Sequence, residues 1–224
     1  MQLDRDGAVL FPQALTPAET AALRDLLGTS LSAGTRLAPP RDGEGGGGGP
    51  ELAELLDPAN QLARRLLGPA ARPVRAVFFD KTSERNWSLG WHQDRTIAVR
   101  HRIDTPGFTD WTLKSGIHHA VPPFEILERM LTLRLHLDDT GADNAPLLVA
   151  PGSHRLGRIP EPEIPAAVTR CGTAACLAAA GDIWAYSTPV LHASARARTP
   201  ARRRVLQLLY SAEDLPGGLE WLGV

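Results

Sequence analysis

The chain has 224 residues, with 24 basic and 25 acidic side chains, two cysteines and 43% hydrophobic residues. That length supports one sizeable domain, 1–224, whose core needs no disulfide or metal staple. The near-cancelling charge gives no reason to expect a nucleic-acid partner or an anionic membrane surface, and no run of 18 apolar residues is available to span a bilayer.

The first residues, Met1-Gln2-Leu3-Asp4-Arg5-Asp6, carry no apolar core of a signal peptide, so a soluble, cytoplasmic, reducing setting is expected. Cys171 and Cys176 have no second pair and no histidine cluster beside them, which reads as structural thiols rather than a zinc site. Gly7 to Phe11 reads as a short strand. Thr16-Pro17-Ala18-Glu19 is a helix start, with Thr16 as N-cap, Pro17 at the first helical position and Glu19 closing a capping box. Leu23, Leu26 and Leu27 form the core-facing stripe of that helix, and Gly28 can end it. Residues 41–50 contain five consecutive glycines, Gly45 to Gly49, and are expected to form a flexible loop. Glu51 to Leu67 reads as a second amphipathic helix that Pro58 can interrupt.

Beyond Pro73 the pattern turns to strands. They are expected at 74–81, 88–92, 130–138, 147–150, 183–186, 190–194 and 203–210. Met130 to Asp138 alternates cleanly, with Leu131, Leu133, Leu135 and Leu137 on one face and Thr132, Arg134, His136 and Asp138 on the other. Residues 95–125 read as a long irregular segment, a lid or substrate wall. Its Arg95, Arg100, His101, Arg102, Lys114, His118 and His119 could receive an anionic substrate, such as an acyl-CoA or a carboxylated metabolite. The plainer alternative is a solvated loop, offset by Asp104 and Asp110. Helices followed by short strands, rather than alternating with them, point to a mainly β antiparallel double sheet, a jelly roll with N-terminal helices packed outside.

The chemistry centres on Trp91-His92-Gln93-Asp94. On an extended strand His92 and Asp94 point the same way, so they offer an imidazole and a carboxylate to one metal. A third, distant histidine would complete a set of two histidines and one carboxylate, the donor set of non-haem Fe(II) oxygenases. Composition also yields a second pair, His136-Leu137-Asp138, so the pair alone does not decide. By position His136, His154 and His192 are all candidates for the third ligand. His192 is followed eleven residues later by Arg203, within Arg202-Arg203-Arg204. A dicarboxylate chelating the metal at one end needs such a guanidinium at the other. Strand parity leaves open which of the three arginines faces inward.

Several short motifs occur together and in order. They are Thr16-Pro17-Ala18-Glu19, Trp91-His92-Gln93-Asp94, Asp143-Asn144-Ala145-Pro146-Leu147, Pro151-Gly152-Ser153-His154, Gly181-Asp182 and His192-Ala193-Ser194 with Arg203-Arg204. As a set they resemble the phytanoyl-CoA dioxygenase family of Fe(II)/2-oxoglutarate oxygenases over nearly the whole chain. The resemblance implies a double-stranded β-helix, cupin-like, with His92, Asp94 and His192 as metal ligands and catalytic centre. It implies Arg203 as partner of the distal carboxylate of 2-oxoglutarate, Ser194 as its supporting hydroxyl, and Lys81 and Gln93 on the cosubstrate side. It also disfavours His136 and Asp138 as ligands. The cofactors it implies are Fe(II), 2-oxoglutarate as cosubstrate and O2. The reaction is hydroxylation of a small-molecule C–H bond, since related halogenases lack the carboxylate ligand. The chain departs from the family in carrying Arg134 where an aromatic residue is more usual and Ala145 where glycine is usual. A cupin-type metalloenzyme that does not use 2-oxoglutarate and a non-catalytic jelly-roll binding domain are the two alternatives.

Overall fold

The computed structural model describes residues 1–28, 35–37 and 50–224. The glycine-rich stretch expected as a flexible loop therefore lies outside the described residues, except for Pro50, which opens a helix. In chain order the elements are α1 (Leu3–Asp6), β1 (Ala8–Phe11), α2 (Pro17–Gly28), β2 (Thr35–Leu37), α3 (Pro50–Leu55), α4 (Asp57–Leu67), β3 (Arg72–Lys81), β4 (Leu89–His92) and β5 (Ile97–Val99). They continue with β6 (Thr109–Lys114), β7 (Ile117–Val121), α5 (Phe124–Glu128), β8 (Leu131–His136), β9 (Leu147–Val149), α6 (Ile164–Cys171), β10 (Ala174–Cys176), β11 (Ile183–Ser187), β12 (His192–Ser194) and β13 (Arg203–Ser211).

The capping box at the start of α2 forms as its residue types require. Thr16 N–H donates to Glu19 Oε2 at 2.7 Å, and Glu19 N–H donates back to Thr16 Oγ1 at 3.2 Å. The second expected helix is two. It breaks between Leu55 and Asp57, so that Pro58 enters the first turn of α4, where its missing N–H is no loss.

Among the described residues the strands form three antiparallel sheets. The largest has the order β1-β11-β8-β13-β3-β2, and facing it lies β10-β9-β12-β4. Two facing antiparallel sheets with the N-terminal helices outside make the mainly β jelly roll expected from the sequence. The alternation in β8 decides what each face does. Leu131, Leu133, Leu135 and Leu137 join Leu23, Leu27, Leu52, Leu56 and Leu62 in one buried apolar cluster, so this face of the large sheet is covered by α2, α3 and α4. The opposite face turns toward the smaller sheet. On the β11–β9 side that interior is apolar, filled by Trp184, Tyr186, Leu147 and Val149. On the β8–β13–β3 side it opens into a cavity.

Residues 95–125 differ from the expectation of an irregular lid. They contain the third sheet, β5-β7-β6, in which β7 pairs with both neighbours. The alternation had been masked by its shortness and by the turn between β6 and β7, where Ser115 and Gly116 take positive φ of 51° and 75°. Its apolar side packs with α5 and the C-terminal segment around Ile97, Val99, Phe108, Leu127, Leu219 and Trp221. Helix α6 and strand β10 were also not foreseen, because both are short and lack strong periodicity. The two cysteines are free thiols, as expected.

Leu133 is fully buried between the large sheet and the helices. Leu133→Ala is expected to lower unfolding free energy by about 2–5 kcal/mol, measured by urea denaturation, because the outer helices cannot collapse fully into the space.

Candidate metal centre

His192 on β12 sits directly opposite His92 at the end of β4, a register that sets the two rings side by side with centroids 4.3 Å apart. Asp94, two residues past His92, brings an Oδ1 to 3.9 Å from His92 Nε2. Ligand atoms of His92, Asp94 and His192 all lie within 4.8 Å of one another, the one such cluster among the described residues. The protonation pattern follows from the neighbours. His92 Nδ1 is 2.8 Å from Gly90 O, and His192 Nδ1 is 3.0 Å from Val190 O. A carbonyl oxygen only accepts, so each Nδ1–H donates and each Nε2 presents its lone pair to the cluster. Burial pushes His192 down to about 4, against the opposing pull of Asp94. It is therefore neutral, and ligand-competent, at neutral pH. Two imidazoles and one carboxylate fit a divalent iron ion.

The triad lines a cavity of about 210 Å³ whose other wall is the inner face of β3, β8 and β13. Arg203 lies on that face, 2% exposed, with Nη1 donating to Ala145 O at 2.8 Å and Nε without a partner among the described residues. Burial, and next Arg134, hold its pKa down to about 9. Arg202 and Arg204 point the other way: Arg202 pairs with Asp80, and Arg204 with Asp138. Lys81 faces Arg203 across the β3–β13 pairing. Its Nζ donates to Trp87 O at 2.7 Å, Ser194 Oγ at 3.3 Å and Ala195 O at 3.2 Å. Burial, then Arg203 and Arg134, lower it to about 8. Ser194 Oγ in turn donates to Ala145 O at 3.3 Å. One carbonyl thus gathers Ser194 and Arg203. Ala145 reaches this position with φ of 52°, a left-handed conformation that glycine adopts at less cost.

Gln93 is placed differently from the expectation. Its amide donates to Gly157 O at 3.0 Å and Pro189 O at 2.8 Å, and its Oε1 accepts from Ile159 N–H at 2.9 Å. All its polar capacity is taken up in joining β4 to the 157–159 and 189 turns. Because adjacent strand residues face opposite ways, it turns from the cavity that His92 enters. It lines a larger outer cavity of about 630 Å³ with Trp91, Arg95, Glu161 and Ile164, to which the triad contributes only His92. That space is bigger but lacks the donor set.

The remaining histidines separate cleanly. His154 packs against the Gly7 turn, where an added Cβ would run into its ring. His136 is buried beside Thr140, and burial lowers it to about 3. The carboxylate that would partner it is occupied: Asp138 accepts from the Arg204 N–H at 2.8 Å and from Arg204 Nε and Nη2 at 2.8 and 2.7 Å. The inner cavity also holds residues that the sequence reading left without a role. Arg36, Arg75 and Arg134 line it. Arg75 shares a face with Val77, Phe79 and Lys81 by simple alternation, which was the signal available for it.

The model of the phytanoyl-CoA dioxygenase (PhyH) family matches residues 3–205. The chain belongs to the phytanoyl-CoA dioxygenase family. Its fold is shared with EctD from S. alaskensis in its apo form, at 22% identity over 99% of this chain and 78% of that one, with a TM-score of 0.68. It is shared with HygX from Streptomyces hygroscopicus, solved with nickel and 2-oxoglutarate bound, at 15% identity over 93% and 84% of the two chains, with a TM-score of 0.61. The epimerase SnoN, solved with Fe3+, alpha ketoglutarate and nogalamycin RO, has 18% identity over 96% and 88% and a TM-score of 0.64. No curated protein sequence matches the chain. Family membership makes this protein an Fe(II)/2-oxoglutarate-dependent oxygenase. No helix among the described residues is long and apolar enough to cross a membrane.

The two His-x-Asp pairs can be told apart directly. Asp138→Ala is expected to leave Mn(II) binding unchanged by calorimetry, whereas Asp94→Ala abolishes it. Burial raises the Asp138 pKa, but the hydrogen bonds from Arg204 outweigh this and hold it below the usual carboxylate value. Asp138 therefore contributes stability above a pH of about 3.9 that is lost as the pH falls through its lowered pKa. Urea denaturation should show that loss in the wild type and not in the Ala variant.

Proposed function

We propose that the protein hydroxylates a C–H bond of a small molecule, with His92 Nε2, Asp94 and His192 Nε2 holding Fe(II) and Arg203 holding 2-oxoglutarate. The observation that carries this reading is the pairing of the triad with a buried, ion-unpaired Arg203 in one cavity. A guanidinium that is 2% exposed and offers a partnerless Nε suits an incoming carboxylate far better than it suits an empty pocket. Iron- and 2-oxoglutarate-bound relatives of the same fold agree with it.

When bound, iron and 2-oxoglutarate supply oxidation of the substrate by O2, with 2-oxoglutarate converted to succinate and CO2. The residues of this chain do the positioning. Gly90 O and Val190 O fix the two imidazoles by accepting from Nδ1–H, so that neither ring turns away from the donor cluster. Asp94 would add the negative charge that a divalent ion needs beside the two imidazoles. Lys81 has its three donors used by Trp87, Ser194 and Ala195. It therefore acts as a brace, holding the Ser194 hydroxyl beside the Ala145 carbonyl that also orients Arg203. Phe79, Val77 and Leu147 line the same cavity and limit water there.

The substrate is a small molecule. An anionic substrate remains the reading, but not on the basis of segment 95–125. Arg95 pairs with Glu161, Arg100 with Glu220 and Arg102 with Asp104, so those charges are already matched at the surface.

Purified protein with Fe(II), O2 and 2-oxoglutarate is expected to form succinate, and Asp94→Ala to form none, read by succinate assay. Arg203→Lys should raise the KM for 2-oxoglutarate by about tenfold or more, because an ammonium cannot reproduce the bidentate pair. Succinate formation by Asp94→Ala at the wild-type level would overturn the ligand assignment. An unchanged KM in Arg203→Lys would overturn the role of Arg203.

A further inference from the structure

The inner cavity is far more cationic than one dicarboxylate requires. Among the described residues Arg36, Arg75, Lys81, Arg134 and Arg203 line it, against Asp94 as the one carboxylate. Three of the five are engaged or assigned through at least one donor, although Arg134 and Arg203 also keep a buried Nε without a partner among the described residues. Lys81 is fully hydrogen-bonded, Arg203 serves the cosubstrate, and Arg134 donates to Gln207 Oε1 at 2.6 Å and stacks over Phe79 at 5.4 Å. Arg75 differs. Among the described residues its side chain makes no hydrogen bond and no ion pair, and its Nε is buried without a partner.

Its place in the sheet sets what it can meet. Arg75, Val77, Phe79 and Lys81 share one face of β3, so Arg75 and Lys81 lie about 20 Å apart along the strand. Lys81 and Arg203 mark the end where Ser194 stands. On the facing sheet the chain runs from Ser194 to the His192–His92 pair, with Asp94 beyond, and Asp94 is the acidic group that Arg75 senses electrostatically. The triad therefore sits between the two cationic ends. Arg36, on the neighbouring strand opposite Val77, stands beside Arg75. His119, which also faces these two arginines, is held down to about 4, chiefly by burial, and supplies no negative charge.

We propose that Arg75, supported by Arg36, anchors an anionic headgroup of the substrate, a carboxylate or a phosphate ester, on the side of the triad away from Arg203. This rests on the iron and 2-oxoglutarate reading above, in which Arg203 is already taken by cosubstrate. Two neighbouring guanidiniums repel each other and are desolvated, and an oxyanion relieves both costs at once. It would also hold the substrate at a fixed reach from the metal, so that position along the chain, rather than bond strength, selects the C–H bond attacked.

The test uses the full chain loaded with Mn(II) and 2-oxoglutarate without oxygen, titrated calorimetrically with hexanoate, n-hexyl phosphate and neutral hexanamide. Wild type is expected to bind at least one anion while keeping 2-oxoglutarate, and hexanamide about tenfold or more weaker. Which anion binds tells carboxylate from phosphate. Arg75→Gln should lose anion affinity about tenfold or more, with Mn(II) and 2-oxoglutarate affinities unchanged, and Arg75→Lys should recover part of it. Arg36→Gln should weaken the same anion and provides the reading if Arg75→Gln does not fold. Equal anion binding by wild type and the Gln variants would overturn the proposal, as would absence of anion binding to the 2-oxoglutarate-loaded wild type. An equal loss of Mn(II) affinity would also overturn it, by assigning Arg75 to Asp94 instead. Failure of wild type to take up 2-oxoglutarate with Mn(II) would remove the underlying reading, and it is seen in a separate titration.

Discussion

The pairing of His192 with His92 across β12 and β4 is the constraint on which the site depends. Antiparallel pairing brings two residues a hundred positions apart to adjacent ladder positions on one face. Each imidazole is then held by a backbone carbonyl two residues earlier in the chain, Gly90 O in β4 and Val190 O just before β12. The same local device on both strands gives both rings the same tautomer. No distant side chain is needed to orient them, and Asp94 joins by following His92 at period two. The candidate ligand set is thus mostly a property of strand geometry, with the smaller sheet as its support.

The larger sheet supplies the complement. Its outer face is apolar and covered by helices, and its inner face concentrates positive charge in a low-dielectric space. Such an arrangement is unfavourable for the protein alone, since buried guanidiniums without carboxylate partners lack compensation. An anion in the cavity would supply that compensation. The downward shifts of Arg203 and Lys81, both led by burial, express the same imbalance. The helices, by covering the outer face with leucines, provide the apolar stability that lets the inner face carry this cost.

The sequence was legible where a local rule has one outcome. Thr16 and Glu19 specify a capping box that needs no tertiary contact, and the clean alternation of β8 identified its leucine face. The order of the short motifs carried the family. The reading was weaker where elements are short. The β5–β7 sheet within 95–125 has three to six residues per strand, too few to establish a period. Gln93 shows a different limit. The family resemblance implied a cosubstrate contact, yet the Gln93 amide turns away from the cavity and is occupied by three backbone groups.

By itself, the sequence determined the mainly β class, the start of α2, the His92–Asp94 pair and the resemblance that named His192 and Arg203. Those features depend on residue type and on separations of a few positions. Only the tertiary structure decided which of Arg202, Arg203 and Arg204 faces the cavity, why Asp138 is no partner for His136, and that Arg75 meets no acceptor among the described residues. Each of those depends on which strands lie side by side. A one-residue slip in register would exchange Arg203 for Arg202 or Arg204 without changing the composition of the strand.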